Sequence, residues 1–170
     1  HLSIRRQRQM CIRDSLKSVE VDILEDGALD LPDRVLKKLD FTICSVHYHF
    51  DLSRDKQTDR ILRAMDNPCM NILGHASGRL IGKRPPMDLD MEKIMKAAAE
   101  RNIHFEINAH PDRLDINDHY CRMARELGVT MAVTTDAHSV DNLELMRLGV
   151  DQARRGWLEA KDIINTLKWE

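Results

Sequence analysis

MAVTTDAHSV, residues 131–140, is an apolar, β-branched run that ends in a carboxylate and an imidazole, Asp136 and His138. Such a run predicts a buried strand. A strand that presents an Asp and a His at its carboxyl end offers a hard oxygen and a borderline nitrogen to a divalent metal such as Zn, Mn or Fe. The alternative is an ordinary loop entering a helix, with Asp136 or Ser139 near the N-cap. Similar residues at the ends of other strand-like runs favour the metal interpretation.

The composition is that of a globular protein with one domain. Hydrophobic residues make up 42% and charged residues 32% of the 170 positions, and the formal net charge of −2 does not indicate a polyanion partner. No apolar run approaches the roughly 20 residues of a membrane span, and no secretory signal is visible. We therefore expect a cytoplasmic protein without membrane contact. Regular patterning starts only at about Val19, so we expect residues 1–18 to be a non-native or disordered leader.

Five strand-like runs alternate with helical patterns from Val19 onward. The runs are VEVDIL at 19–24, FTICSV at 41–46, MNIL at 70–73, HFEI at 104–107 and TMAVT at 130–134. Apolar spacing predicts helices over residues 31–39, 53–65, 88–101, 117–127, 142–148 and 158–167. This alternation predicts parallel β/α units.

Polar residues of unusual type stand where these runs end, which is where parallel β/α folds place their chemistry. They are His47, His75, Asn108, Asp136 and His138. Glu20 lies within a strand, and its side chain can point inward if those of its neighbours point outward. The five carboxylates and imidazoles of this set would hold more than one divalent ion, which could activate water and bind the oxygens of a phosphoryl group.

Individual members of the set also have ordinary interpretations. His75 could cap a helix or fill the core, and His49 rather than His47 could be the participant on its loop. Arg79 follows His75 in a loop, where it could neutralise a phosphate oxygen bidentately or be a solvated charge. The joint pattern is more specific than any single residue.

Six segments carry a resemblance to a known family. They are VEVDIL, SVHYHF, ILGHASGRLIGKR, FEINAHPDRLDIND, TTDAHS and LMRLGVDQARRGWLEAKDIINT. From about Val19 to Thr166 the chain resembles the C-terminal PHP (polymerase and histidinol phosphatase) domain of bacterial and archaeal family X DNA polymerases. The resemblance implies an α/β fold, a distorted (β/α)7 TIM-like barrel, with up to three divalent ions. Manganese or zinc would be the usual ion, with iron or magnesium as alternatives.

The resemblance also implies an activity and a role for individual residues. The activity is metal-dependent phosphoester hydrolysis by attack of metal-bound hydroxide on phosphorus, as a 3′–5′ exonuclease or DNA 3′-end processing domain with a polymerase domain upstream in the same chain. The implied metal ligands are Glu20, His47, His75, Asp136 and His138. His49 and Arg79 would be catalytic, and Arg79 and Asn108 would contact the substrate.

One departure from the family pattern changes the expected fold and leaves other functions open. The family's domain opens with an H-x-H strand that this sequence lacks. We therefore expect residues 19–170 to form an incomplete barrel of about five β/α units, open at the Glu20 strand. One alternative function is a stand-alone phosphatase for a small phosphomonoester such as histidinol phosphate, and another is a catalytically inert fragment. A polymerase domain upstream would favour DNA as the substrate.

Overall fold

In the part of the chain that the structure describes, five strands form one parallel sheet, as the sequence predicts, and they pair in the order in which they occur along the chain. They are β1 (Glu20–Asp22), β2 (Ile43–Ser45), β3 (Ile72–Leu73), β4 (His104–Asn108) and β5 (Met131–Thr134). The computed structural model describes residues 15–167. Residues 1–14 of the predicted leader, which spans residues 1–18, therefore lie outside the described residues.

Among the described residues, five α-helices connect and follow these strands. They are α1 (Asp33–Leu36), α2 (Arg54–Ala64), α3 (Met91–Arg101), α4 (Asp118–Glu126) and α5 (Met146–Arg155). Side-chain caps fix where two of them begin, because Asp90 accepts a hydrogen bond from the backbone of Lys93 and Asn117 accepts one from that of Tyr120. Asn102 ends α3 in the left-handed conformation. No helix in the described range is long and apolar enough to cross a membrane.

Of the two helices predicted near the carboxyl end, the first, over residues 142–148, forms with different bounds, and the second, over residues 158–167, is wrong. A 3₁₀ helix, Val140–Leu145, takes up much of the first, and α5 continues to Arg155. The second is replaced by two 3₁₀ turns, Ala160–Asp162 and Ile164–Thr166, on either side of the extended residue Ile163.

The edge of β5 that faces away from β4 explains why the second helix does not form. Ile163 makes a parallel bridge with Met131. The side chain of Asn165 accepts a hydrogen bond from the backbone nitrogen of Val133 at 2.8 Å and donates one to its carbonyl oxygen at 2.9 Å. Backbone groups at a sheet edge need partners. In this chain the segment after α5 supplies these partners. It pairs with β5 and does not form the hydrogen bonds of an α-helix.

The hydrophobic core lies on one face of the sheet, and a cavity lies on the other. In β4, Phe105 and Ile107 point into the hydrophobic core, and Glu106 and Asn108 line a cavity of about 310 Å³ on the other face. Residues of β1, β2, β4 and β5, together with His75 just after β3, line this one cavity, so the sheet curls around it. Within the described range β1 and β5 are not paired with each other. The architecture is therefore an open parallel sheet, compatible with part of a TIM-like barrel.

Candidate metal centre

Three of the five predicted ligands lie together: Glu20 is the first residue of β1, and His47 and His75 follow the carboxyl ends of β2 and β3. Oε1 of Glu20 is 2.9 Å from Nε2 of His75 and 3.2 Å from Nε2 of His47. The two imidazole rings meet edge to face, with centroids 5.1 Å apart. One ligand atom from each of the three residues can be chosen so that all lie within 4.8 Å of one another.

Local sequence explains how these three side chains converge. Val21 is buried in the core, so strand alternation turns Glu20 to the opposite face, beside Ile43 of β2. His47 and His75 each follow their strand by two residues. Gly74 makes the close approach before His75 possible, because a Cβ there would clash with the Ser45 hydroxyl and lie 2.8 Å from Cγ2 of Ile43.

The carboxylate and the imidazoles of the cluster stabilise each other's charged forms. Hydrogen bonds with His47 and then His75 hold the pKa of the Glu20 carboxyl far below its usual range, against the opposing effect of burial. The pKa of His47 is raised, chiefly by its hydrogen bond with Glu20 and also by one with Asp22. Glu20 is therefore ionised at neutral pH, as a metal ligand must be.

Asp22 is a member of the site that the sequence analysis did not single out. Its carboxylate hydrogen-bonds Nδ1 of His47, while Nε2 of the same ring faces Glu20. A carboxylate on the second nitrogen fixes both the tautomer and the orientation of a metal-binding histidine. Period-two alternation along β1 places Asp22 on the face of Glu20, so this signal was present in the sequence.

The donor set fits a divalent transition metal. One carboxylate and two imidazoles are ligands that Zn, Mn and Fe share. In addition, Nδ1 of His75 is buried and has no hydrogen-bond partner among the described residues. A buried nitrogen without a partner fits a ligand that the protein atoms themselves do not supply.

Asp136 and His138 occupy different positions from the first three residues and from each other. Asp136 lines the same cavity as Glu20 and His75. Its Oδ2 accepts a hydrogen bond from Asn108 at 3.1 Å and lies 3.4 Å from Nε of Arg113. The side chain of His138 is 83% exposed, and its Nδ1 lies 2.7 Å from the carbonyl oxygen of Asp136. The structure thus brings Asp136 near the cluster and leaves His138 on the surface.

The loop after β5 also has the helix-entry character of the alternative interpretation. Ser139 is the N-cap of the 3₁₀ helix, and the backbone nitrogens of His138 and Ser139 both donate to Oδ1 of Asn142. The two interpretations of this loop are therefore compatible. A capped helix start and a cavity-lining Asp136 coexist.

His49 and Arg79 do not line the cavity. Nε2 of His49 is exposed and lies 3.8 Å from a Glu25 carboxylate oxygen. Nη2 of Arg79 donates to the carbonyl oxygens of Arg113 and Leu114 at 2.8 and 2.6 Å. In the structure Arg79 therefore supports the loop that carries Arg113, and the solvated-charge interpretation does not describe it.

Two buried carboxylates hold the turn that starts at His75. Glu106 accepts a hydrogen bond from the backbone nitrogen of His75 at 2.6 Å, and Asp115 accepts one from that of Ser77 at 3.1 Å. Burial raises the pKa of both carboxyl groups. The sequence analysis missed both, although Glu106 lies between two apolar residues of a strand, where an inward-facing acid is unusual.

A buried arginine ties the loops after β1 and β2 to α2. Arg60 is 0% exposed. Its guanidinium donates to the carbonyl oxygens of Leu24 at 2.8 Å, of Tyr48 at 3.0 Å and of Ile23. These carbonyls belong to the segments that directly follow β1 and His47. Arg60 thereby sets how the two strand ends lie relative to each other.

These features define the class of protein: a parallel α/β sheet with a carboxylate–imidazole donor cluster at its carboxyl edge. The chain is 40% identical over 150 residues to the DNA polymerase/3′-5′ exonuclease PolX of Bacillus subtilis, in a match that covers 88% of this chain and 26% of that protein. It is 38% identical over 133 residues to a probable phosphatase of Thermoanaerobacter sp. (strain X514), covering 72% of this chain and 52% of the relative. A probable phosphatase of Caldanaerobacter subterraneus subsp. tengcongensis is 36% identical over 133 residues, with 72% and 50% covered.

The chain is thus a homologue of PolX and of these probable phosphatases. It spans about a quarter of the length of PolX and about half that of the phosphatases. No family model matches the chain.

Proposed function

We propose that the chain is part of a PHP-type, metal-dependent phosphoesterase domain that acts on DNA 3′ ends as a 3′–5′ exonuclease. The observation that carries this proposal is the position of Glu20 between the Nε2 atoms of His47 and His75, at 3.2 and 2.9 Å. The 40% identity to PolX, a protein named as a polymerase and exonuclease, supports DNA as the substrate and a polymerase domain in the same chain.

Individual side chains would bind the metal ions or hold the ligands in position. Glu20, His47 and His75 would hold a divalent ion. Asp136 would bind a further ion at the same cavity together with His138, which would have to leave the exposed position that it has in the structure. Such ions, when bound, lower the pKa of water and polarise a phosphoryl oxygen. Asp22 keeps Nε2 of His47 directed at Glu20.

The groups around the cavity would bind the substrate. Nε of Arg113 lies 3.4 Å from Oδ2 of Asp136, and its guanidinium would bind a phosphate that reaches this residue. Asn108 lines the cavity and would contact the substrate, and His49 and Arg79 would act on the reacting phosphate. For His49 and Arg79 this requires a change from the contacts that they make in the structure.

The test measures bound metal and hydrolysis in the same preparations. The purified protein should contain Mn, Zn or Fe by elemental analysis and should shorten a 5′-labelled single-stranded oligonucleotide from its 3′ end. Glu20→Gln should lose both the metal and the activity, because it removes the charge shared by two imidazoles. Glu100→Gln, an exposed acid on α3, is the matched control and should change neither.

A second candidate is hydrolysis of a small phosphomonoester such as histidinol phosphate. The probable phosphatases at 38% and 36% identity favour it, since the chain covers about half of each. Comparing the oligonucleotide with histidinol phosphate and p-nitrophenyl phosphate at equal metal loading separates the two candidates. Absence of bound metal together with absence of hydrolysis would reject both and leave an inert fragment.

A further inference from the structure

We propose that Glu106 is a positioning residue for His75, and that its buried carboxylate holds the main chain so that the imidazole reaches Glu20. This inference rests on the proposed function, in which His75 is a metal ligand. It concerns a hydrogen bond to the backbone of His75 rather than contact with the metal.

The backbone of His75 needs such a partner. The paired residues of β3 end at Leu73, and the last sheet bond of this strand runs from the nitrogen of Gly74 to the carbonyl oxygen of Cys44 at 2.9 Å. His75 then turns away with φ +24°, a conformation that residues other than glycine rarely adopt. Oε2 of Glu106, at 2.6 Å, takes the place of a strand carbonyl as the acceptor for its N–H.

The side chain of Glu106 is itself fixed in position by its burial and by a second hydrogen bond. It lies in the middle of β4, opposite Ala132 of β5, and is 4% exposed. Its second oxygen, Oε1, accepts a hydrogen bond from the hydroxyl of Thr134 at 2.5 Å. Both carboxylate oxygens therefore have partners, one on each neighbouring strand end. A side chain fixed at two points can fix a third group.

The geometry links this contact to the metal cluster. The peptide nitrogen of His75 is bound to Glu106, and Nε2 of the same residue is 2.9 Å from Glu20. The other end of the turn is closed by Gly78, whose nitrogen donates to the carbonyl oxygen of His75 at 2.8 Å. If Glu106 is removed, the strained backbone of His75 can relax, and the imidazole then loses its direction.

Metal affinity in a double-mutant cycle tests the inference. Glu106→Leu should weaken Mn²⁺ binding by about 10- to 100-fold, as loss of an outer-shell partner does elsewhere. Glu106→Gln should stay within about threefold of the wild type, since its amide oxygen can still accept from His75. In a His75→Ala background Glu106→Leu should cost nothing further, whereas in a His47→Ala background its full effect should remain.

Two results would overturn the inference. If Glu106→Gln loses as much affinity as Glu106→Leu, the carboxylate contacts the ion directly. If Glu106→Leu and His75→Ala reduce affinity independently, Glu106 does not act through His75. Should Glu106→Leu fail to fold, Thr134→Val frees one carboxylate oxygen and should give a several-fold loss that also disappears in the His75→Ala background.

Imidazole ¹⁵N spectra of the metal-free protein separate this inference from the proposed function. The Nε2 signal of His75 should report its hydrogen bond with Glu20 in the wild type and in Glu106→Gln, and should lose it in Glu106→Leu. His104, whose Nδ1 lies 2.6 Å from the Thr130 hydroxyl, is the internal control. A wild type that binds no metal would reject the proposed function alone, and an unchanged His75 signal in Glu106→Leu would reject the role of Glu106.

Discussion

Replacing Arg60 with methionine tests whether this buried arginine holds the two loops that carry the cluster. The side chain is 0% exposed and donates to three backbone carbonyls. The carbonyl of Leu24 keeps a second donor, the nitrogen of Gly27 at 2.9 Å. Those of Ile23 and Tyr48 would lose the donor that Arg60 provides.

The size of the effect follows from these two carbonyls. A buried acceptor left without a donor costs about 1–3 kcal/mol, so two give about 2–6 kcal/mol. Methionine retains much of the apolar contact of the arginine stem, which limits any additional cavity term. We expect Arg60→Met to lower the free energy of unfolding by about 4 kcal/mol, and the melting temperature by roughly 8–16 °C.

Urea unfolding followed by circular dichroism measures this change. Arg63→Met, three residues along the same helix and exposed, is the matched control and should stay within about 0.5 kcal/mol of the wild type. A loss below about 1 kcal/mol for Arg60→Met, or an equal loss for Arg63→Met, would refute the reasoning.

Three further predictions concern other contacts. Gly74→Ala should destabilise the protein by about 1–3 kcal/mol in urea unfolding, because its Cβ would clash with Ser45, and Ser45→Ala should restore part of the loss. Asn165→Ala should speed hydrogen exchange at the Val133 amide and lower stability by about 1–2 kcal/mol, since both of its bonds to Val133 are lost. Burial raises the pKa of Cys121 to about 12, so this thiol should not react with iodoacetamide at pH 9 until the protein unfolds. Because the unfolded thiol ionises near its usual 9.0 and the folded one does not, stability should fall above that pH by at most about 1.4 kcal/mol per pH unit for this group.

Hydrophobic periodicity was sufficient to predict the five strands and most of the helices. Four strands lie within their predicted runs, and β4 extends one residue beyond its run, to Asn108. The runs are visible in the sequence because apolar residues on a parallel sheet face the helices that cover it. The final helix was wrong because the edge of β5 competes for the same backbone. Periodicity describes one segment at a time and cannot show that Asn165 will bond to Val133 on another element.

The expectation that functional residues stand where parallel strands end predicted members of the cluster but not the groups that support them. His47 and His75 follow the carboxyl ends of neighbouring parallel strands, and Glu20 meets them because alternation along β1 turns it to the same face. Glu106 was missed because a strand pattern gives the face of a residue and not its hydrogen-bond partner. Arg60 was missed because an arginine in an amphipathic helix is ordinarily solvated.

The side-chain amide of Asn165 decides at which edge the sheet can accept a further strand. By occupying both backbone groups of Val133, it imitates the donor and acceptor of a neighbouring strand and leaves β5 unavailable as a template. In the described part of the chain β1 is paired on one side only. A further strand, from the same polypeptide or another, would therefore add beside Glu20, and its side chains would enter the cavity next to that carboxylate.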